Sequence, residues 1–113
     1  MLKFYKLNNE IIPSVSPLTE GEELIANTTD GAYEKHVPVI EQQGDHVTVT
    51  VGSVFHPMLE AHYIEWIILE TATGYQKHDL KPGDAPTADF AVTEPVIAAY
   101  EYCNLHGLWI AKA

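Results

Sequence analysis

Six histidines and one cysteine are the residues here best suited to metal chemistry: His36, His46, His56, His62, His78, His106 and Cys103. Neutral imidazole and thiolate are ready ligands for first-row transition metals. A histidine taken singly is more often a surface or hydrogen-bonded residue than a ligand, so its context has to decide. His46 and His78 stand in polar strand segments beside Asp45 and Asp79, where a solvated histidine next to an acid is the plain reading. The other four stand at element boundaries. His36 lies in Glu-Lys-His-Val-Pro (34–38) and His56 in Phe-His-Pro-Met (55–58). His62 opens a strand, and Cys103 and His106 share the tight loop Cys-Asn-Leu-His-Gly (103–107). Loops carried by a rigid sheet are where ligating side chains converge. Pro57 rules against one helix running through His56 and His62, which removes the helical zinc pair.

Cys-x-x-His alone recurs by chance, and a lone buried cysteine is usually a small hydrophobe. A structural zinc site takes four ligands, commonly with two or more cysteines, and a blue-copper site takes two histidines and one cysteine. Neither accounts for four well-placed histidines and a thiolate.

The elements that must position these residues read as strands. His46 to Val54 alternates Val47, Val49 and Val51 against Thr48 and Thr50, a period-two pattern rich in β-branched residues. His62 to Leu69 is expected to place Ile64, Trp66 and Ile68 on one face. Tyr75 to Leu80, Ala88 to Thr93, Ile97 to Tyr102 and Leu108 to Ala111 are further short strands. Turn residues at 43–45, 73–74, 81–84 and 106–107 separate them. This density of strands favours an all-β sandwich over an α/β fold. Leu18 to Ala26, with Glu20, Glu22 and Glu23, is expected to open a short helical turn. Residues 1–32 read as an N-terminal lead-in or reduced appendage, and residues 33–113 as the β-sandwich.

The chain has 113 residues, enough for one domain with its own core. Its formal charge is -10, from 16 acids against 6 lysines, with no arginine. There is little here to build a phosphate-binding face, so neither nucleic acid nor an anionic membrane is an expected partner. Any small anionic substrate has to be drawn in by positive charge local to its site. The single cysteine forms no internal disulfide, and the first fifteen residues show no secretory pattern. A cytoplasmic location is expected.

Four runs together resemble superoxide reductase, the family that includes desulfoferrodoxin and neelaredoxin. They are 34–38, then His56-Pro57-Met58 with His62-Tyr63-Ile64-Glu65-Trp66, then Leu80 to Pro86, and Tyr102-Cys103-Asn104-Leu105-His106-Gly107. The resemblance spans about Tyr33 to Ala113, in order and with compatible spacing. It implies an immunoglobulin-like β-sandwich whose mononuclear non-haem iron has four equatorial imidazoles and an axial thiolate. Carried over by position, His36, His56, His62 and His106 are equatorial and Cys103 is axial. The resemblance also implies that Glu34 occupies the sixth position in the resting ferric enzyme and that Lys35 attracts superoxide. Backbone N–H groups of the 104–106 loop are expected to bond the sulfur and moderate its donation.

The implied activity is the one-electron reduction of superoxide to hydrogen peroxide. The implied partners are an external donor of the rubredoxin type and further copies of the chain, as a dimer or tetramer. The N-terminus departs from desulfoferrodoxin, which carries a second iron centre held by four cysteines. Lys6 to Ile12 occupies the equivalent place, and residues 1–32 contain no cysteine. The competing reading is a non-catalytic iron-binding electron-transfer protein of the same fold.

Overall fold

A computed structural model describes all residues from Met1 to Ala113. Ten strands and one helical turn follow in the order β1 (Lys3–Leu7), β2 (Glu10–Ser14), β3 (Glu22–Leu24), α1 (Tyr33–His36), β4 (Pro38–Gln43), β5 (His46–Val51), β6 (Ile64–Thr71), β7 (Gly74–Asp79), β8 (Thr87–Ala91), β9 (Val96–Cys103) and β10 (Gly107–Lys112). They form three antiparallel sheets, ordered β2-β1-β3, β10-β9-β6-β7 and β4-β5-β8. The all-β expectation holds. No helix is long and apolar enough to cross a membrane.

The four-stranded sheet is the middle layer. One core joins it to β4-β5-β8, through Val47, Val49, Val51 and Phe90 on one side and Ile64, Ile67, Leu69, Ala99 and Cys103 on the other. A second core joins its opposite face to the N-terminal sheet, through Phe4, Trp66, Ile68, Tyr100 and Leu108. Phe4 stacks on Trp66 at a centroid distance of 5.6 Å. Burial of both faces explains why β6 and β9 read as nearly continuous apolar runs whereas β5 alternates.

Two expectations fail for local reasons. Ile64 does not share a face with Trp66 and Ile68; it joins the other core. The β6–β9 register shifts between Ile64 and Trp66, and the irregularity reverses the alternation there. Residues 18–26 do not form a helical turn. Glu22–Leu24 adds instead as a third strand to β1, pairing Tyr5 with Glu23 and Phe4 with Leu24. That pairing brings Leu24 against the second core, a burial that one acidic helical turn would not provide.

Candidate metal centre

Four segments reach one end of the sandwich, each bringing part of a donor set. The α1 turn carries His36, the segment after β5 carries His56, the start of β6 follows His62, and the end of β9 with the loop after it carries Cys103 and His106. Gly107, at φ 79, takes the left-handed conformation that turns this last loop into β10. The side-chain amide of Asn104 staples the loop to the His62 segment. It accepts from the Tyr63 N–H at 2.9 Å and donates to the Ala61 carbonyl at 3.0 Å. Leu59 and His62 exchange backbone hydrogen bonds of 2.9 and 3.1 Å, which holds the short excursion between His56 and His62.

The ligating atoms of His36, His56, His62, Cys103 and His106 all lie within 4.8 Å of one another. The four rings form a closed circuit. Neighbouring centroids are 4.7 Å apart for His36–His56, 4.6 Å for His56–His62, 5.0 Å for His62–His106 and 4.8 Å for His36–His106. Every pair meets edge-on, with interplanar angles from 75 to 90°. Cys103 Sγ lies 3.5 Å from His56 Nε2 and 3.9 Å from His106 Nδ1. His36, His56 and Cys103 are buried, whereas His62 and His106 are half-buried, so the cluster is closed behind and more open at these two rings.

Hydrogen bonding decides which nitrogens face inward. His36 Nδ1 donates to the Ala32 carbonyl at 2.8 Å, and His56 Nδ1 to the Pro57 carbonyl at 2.6 Å. Their Nε2 atoms therefore carry lone pairs, and these face each other across 3.2 Å. His62 Nε2 is buried without any hydrogen-bond partner. Facing lone pairs and an orphaned ring nitrogen are unfavourable unless a cation lies among them. The residues present fit a transition-metal ion, with imidazole and thiolate as its donors.

Electrostatics agree with that fit. Burial lowers His36, and it lowers His56 further, to about 4, against the pull of the Pro57 carbonyl. Burial also lowers His62, assisted by repulsion from the neighbouring His106 ring and from Lys35. These rings are therefore neutral at pH 7 and available as ligands. Burial pushes the Cys103 thiol up, and the backbone N–H groups of Leu105 and His106 pull it partly back. A bound cation has to displace the thiol proton.

Glu34 and Lys35 are exposed on the α1 turn, next to the cluster. The Glu34 carbonyl accepts from the Val54 N–H at 2.8 Å and from the Ser53 hydroxyl at 3.3 Å, so loop 52–54 clamps the turn. His46 and His78 stay outside. His46 pairs with Asp89 across the strands at 3.2 Å, and His78 is exposed on β7. The sequence reading missed Asn104, Gly31, Gly52 and Trp109. A side-chain amide inside Cys-Asn-Leu-His was the one visible hint.

The desulfoferrodoxin family model matches residues 28–112. That match covers the segment that carries all five donor residues. Desulfoferrodoxin of Nitratidesulfovibrio vulgaris is 57% identical over 86 residues, covering 76% of this chain and 68% of that protein. The superoxide reductase of Treponema pallidum superposes with a TM-score of 0.87 at 39% identity, covering 99% of both chains. The one-iron superoxide reductase of Giardia intestinalis gives a TM-score of 0.63 at 34% identity, over 71% of this chain and 97% of that one. The three antiparallel sheets match structures whose fold is immunoglobulin-like. A family match running through all five donors, on a fold shared end to end with one relative, places this chain in the desulfoferrodoxin/superoxide reductase family.

Proposed function

We propose that this chain is a superoxide reductase, which passes one electron to superoxide and, with two protons, releases hydrogen peroxide. The observation that carries this reading is the closed circuit of four histidines with Cys103 against two of them, within a match to the family. The proposed cofactor is a single iron held by His36, His56, His62, His106 and Cys103. Iron, when bound, supplies the electron and a Lewis-acidic position open to the anion.

The chain's own residues do the rest. Lowered ring basicity keeps His36, His56 and His62 neutral, so they bind metal rather than protons. Cys103, deprotonated on binding, adds one negative charge, and the N–H groups of Leu105 and His106 moderate it. Lys35 lies close enough for its charge to act on His36 and His62. It is proposed to draw superoxide towards the site against a net charge of -10, which salt screens beyond about 8 Å. Glu34, on the same turn, is proposed to bind iron in the oxidised protein.

Electrons have to come from outside, because residues 1–32 hold no cysteine for a second centre. We retain the division into 1–32 and 33–113 as a proposal. A rubredoxin-type donor is the proposed partner. Exposed Tyr33, Phe55, Leu59 and Leu105 stand within three residues of a ligand, a surface that suits a protein contact. A homodimer or homotetramer and a cytoplasmic location complete the reading; the free, buried Cys103 supports the latter.

The test is superoxide consumption by iron-loaded, pre-reduced protein, with metal analysis of the same sample. One superoxide consumed and one peroxide formed per iron is the expected result. An iron that cycles with donors but leaves superoxide untouched is the non-catalytic electron-transfer protein instead.

A further inference from the structure

Trp109 is fully buried on β10 and meets two of the four imidazoles in different ways. Its ring is stacked on that of His36, with centroids 4.9 Å apart and planes inclined by 27°. Its Nε1–H donates to the backbone carbonyl of His106 at 3.0 Å, and the Thr29 hydroxyl donates to the same oxygen. Gly31 keeps the stack tight: a Cβ there would stand 3.1 Å from Trp109 and 3.2 Å from His36.

Each contact removes a specific freedom. The Nδ1 bond to Ala32 chooses which nitrogen of His36 faces inward, but one hydrogen bond leaves the ring able to rock about it. A flat indole against the imidazole removes that rocking. The doubly held carbonyl fixes the backbone from which the His106 ring hangs. The two rings end 4.8 Å apart at 90°, although 70 positions separate them in sequence.

We infer that Trp109 is a positioning residue that sets His36 and His106 at their mutual angle before any metal arrives. The inference rests on the metal-site reading above. Groups of this kind, which orient ligands without touching the metal, change metal affinity by about 10–100-fold when lost.

The experiment uses the full chain stripped of metal, titrated with Co2+ against a competing chelator. The thiolate-to-cobalt absorption and the metal-free thermal melt are recorded together. Trp109→Phe keeps a flat ring and deletes the N–H donor. Gly31→Ala keeps the Trp109 side chain and makes the two rings give by a few tenths of an ångström. Both should weaken Co2+ binding about tenfold or more and shift the thiolate band. Gly31→Ala should do so while melting near the parent, which keeps the test decisive if Trp109→Phe folds poorly. Variants that melt lower but keep parental Co2+ affinity and the parental band would make Trp109 a core residue only, and overturn the inference. A parent chain that binds no Co2+ through its thiolate overturns the metal-site reading, and this inference falls with it.

Discussion

The Nε2 atoms of His36 and His56 lie 3.2 Å apart, while the Nδ1 atoms of both rings are bonded to backbone carbonyls. Neither ring has a proton to offer the other, so the metal-free protein holds two lone pairs in contact. A cation that binds only the folded chain relieves this and adds its own binding free energy. Saturating Fe2+ or Zn2+ should raise Tm by roughly 10 °C, taking about 2.7 kcal/mol at a hundredfold excess over Kd. Differential scanning with and without a chelator reads the shift, and identical melts would leave the lone-pair contact unexplained.

The lowered imidazoles should also show in the stability of the metal-free protein. A histidine held near 4 when folded and near 6.5 when unfolded binds fewer protons in the native state across that interval. Stability is therefore complete above about pH 6.5 and falls as pH drops towards about 4. His56→Gln removes this group's share. The stability difference between parent and variant, followed by urea unfolding, should change between pH 7 and pH 4 and be flat above 7.

Glu101 should produce the opposite slope. It is fully buried in β9, neither carboxylate oxygen has a partner, and burial raises it well above its ordinary value. The folded chain keeps a proton that the unfolded chain loses above about 4.5, so this contribution weakens as pH rises. Glu101→Gln should gain stability relative to the parent from pH 5 to pH 8. A parent–variant gap that stays constant across that range would count against a buried neutral acid.

Lys35 offers a kinetic test. Lys35→Ala should slow the encounter with superoxide several-fold at low ionic strength and flatten its dependence on salt, with iron content unchanged. Pulse radiolysis at two salt concentrations measures both quantities. A parental rate at low salt removes the steering role.

Gly52 lies where the backbone of the α1 turn crosses. A Cβ there would stand 2.6 Å from the Glu34 carbonyl oxygen and 3.0 Å from the Lys35 carbonyl carbon. These are backbone atoms and cannot swing aside. Gly52→Ala should cost about 1–3 kcal/mol in urea unfolding, the usual range for overpacking. Because the shifted turn carries Glu34, Lys35 and His36, metal affinity should fall as well.

Much of the site was legible because its residues sit in short runs with distinctive neighbours. His36 before Val37-Pro38 and Cys103 with His106 before Gly107 lie where the observed elements end or begin, and His56 before Pro57 lies in the loop between β5 and β6. The strands from His46 onwards were legible from β-branched alternation and turn residues. What stayed hidden depended on tertiary partners. The alternation of β6 breaks at Ile64 because of how it pairs with β9, and period-two reading contains no information about pairing. Glu22–Leu24 becomes a strand because β1 offers it an edge. Trp109 is unmarked in the sequence, since nothing nearby reveals that His36 lies under its ring.

The pairing of His36 with His106 across 70 positions also bears on when the site comes into being. Synthesis runs from the N-terminus, and domains gain their long-range contacts only once the later strands are available. A nascent chain that has reached β8 displays three of the four cluster histidines, without the segment that carries Cys103 and His106. The last two donors arrive together, on the hairpin between β9 and β10, and they close a ring whose other members have been waiting. A cluster with all five donors in place therefore reports that the sandwich has been assembled as far as β10.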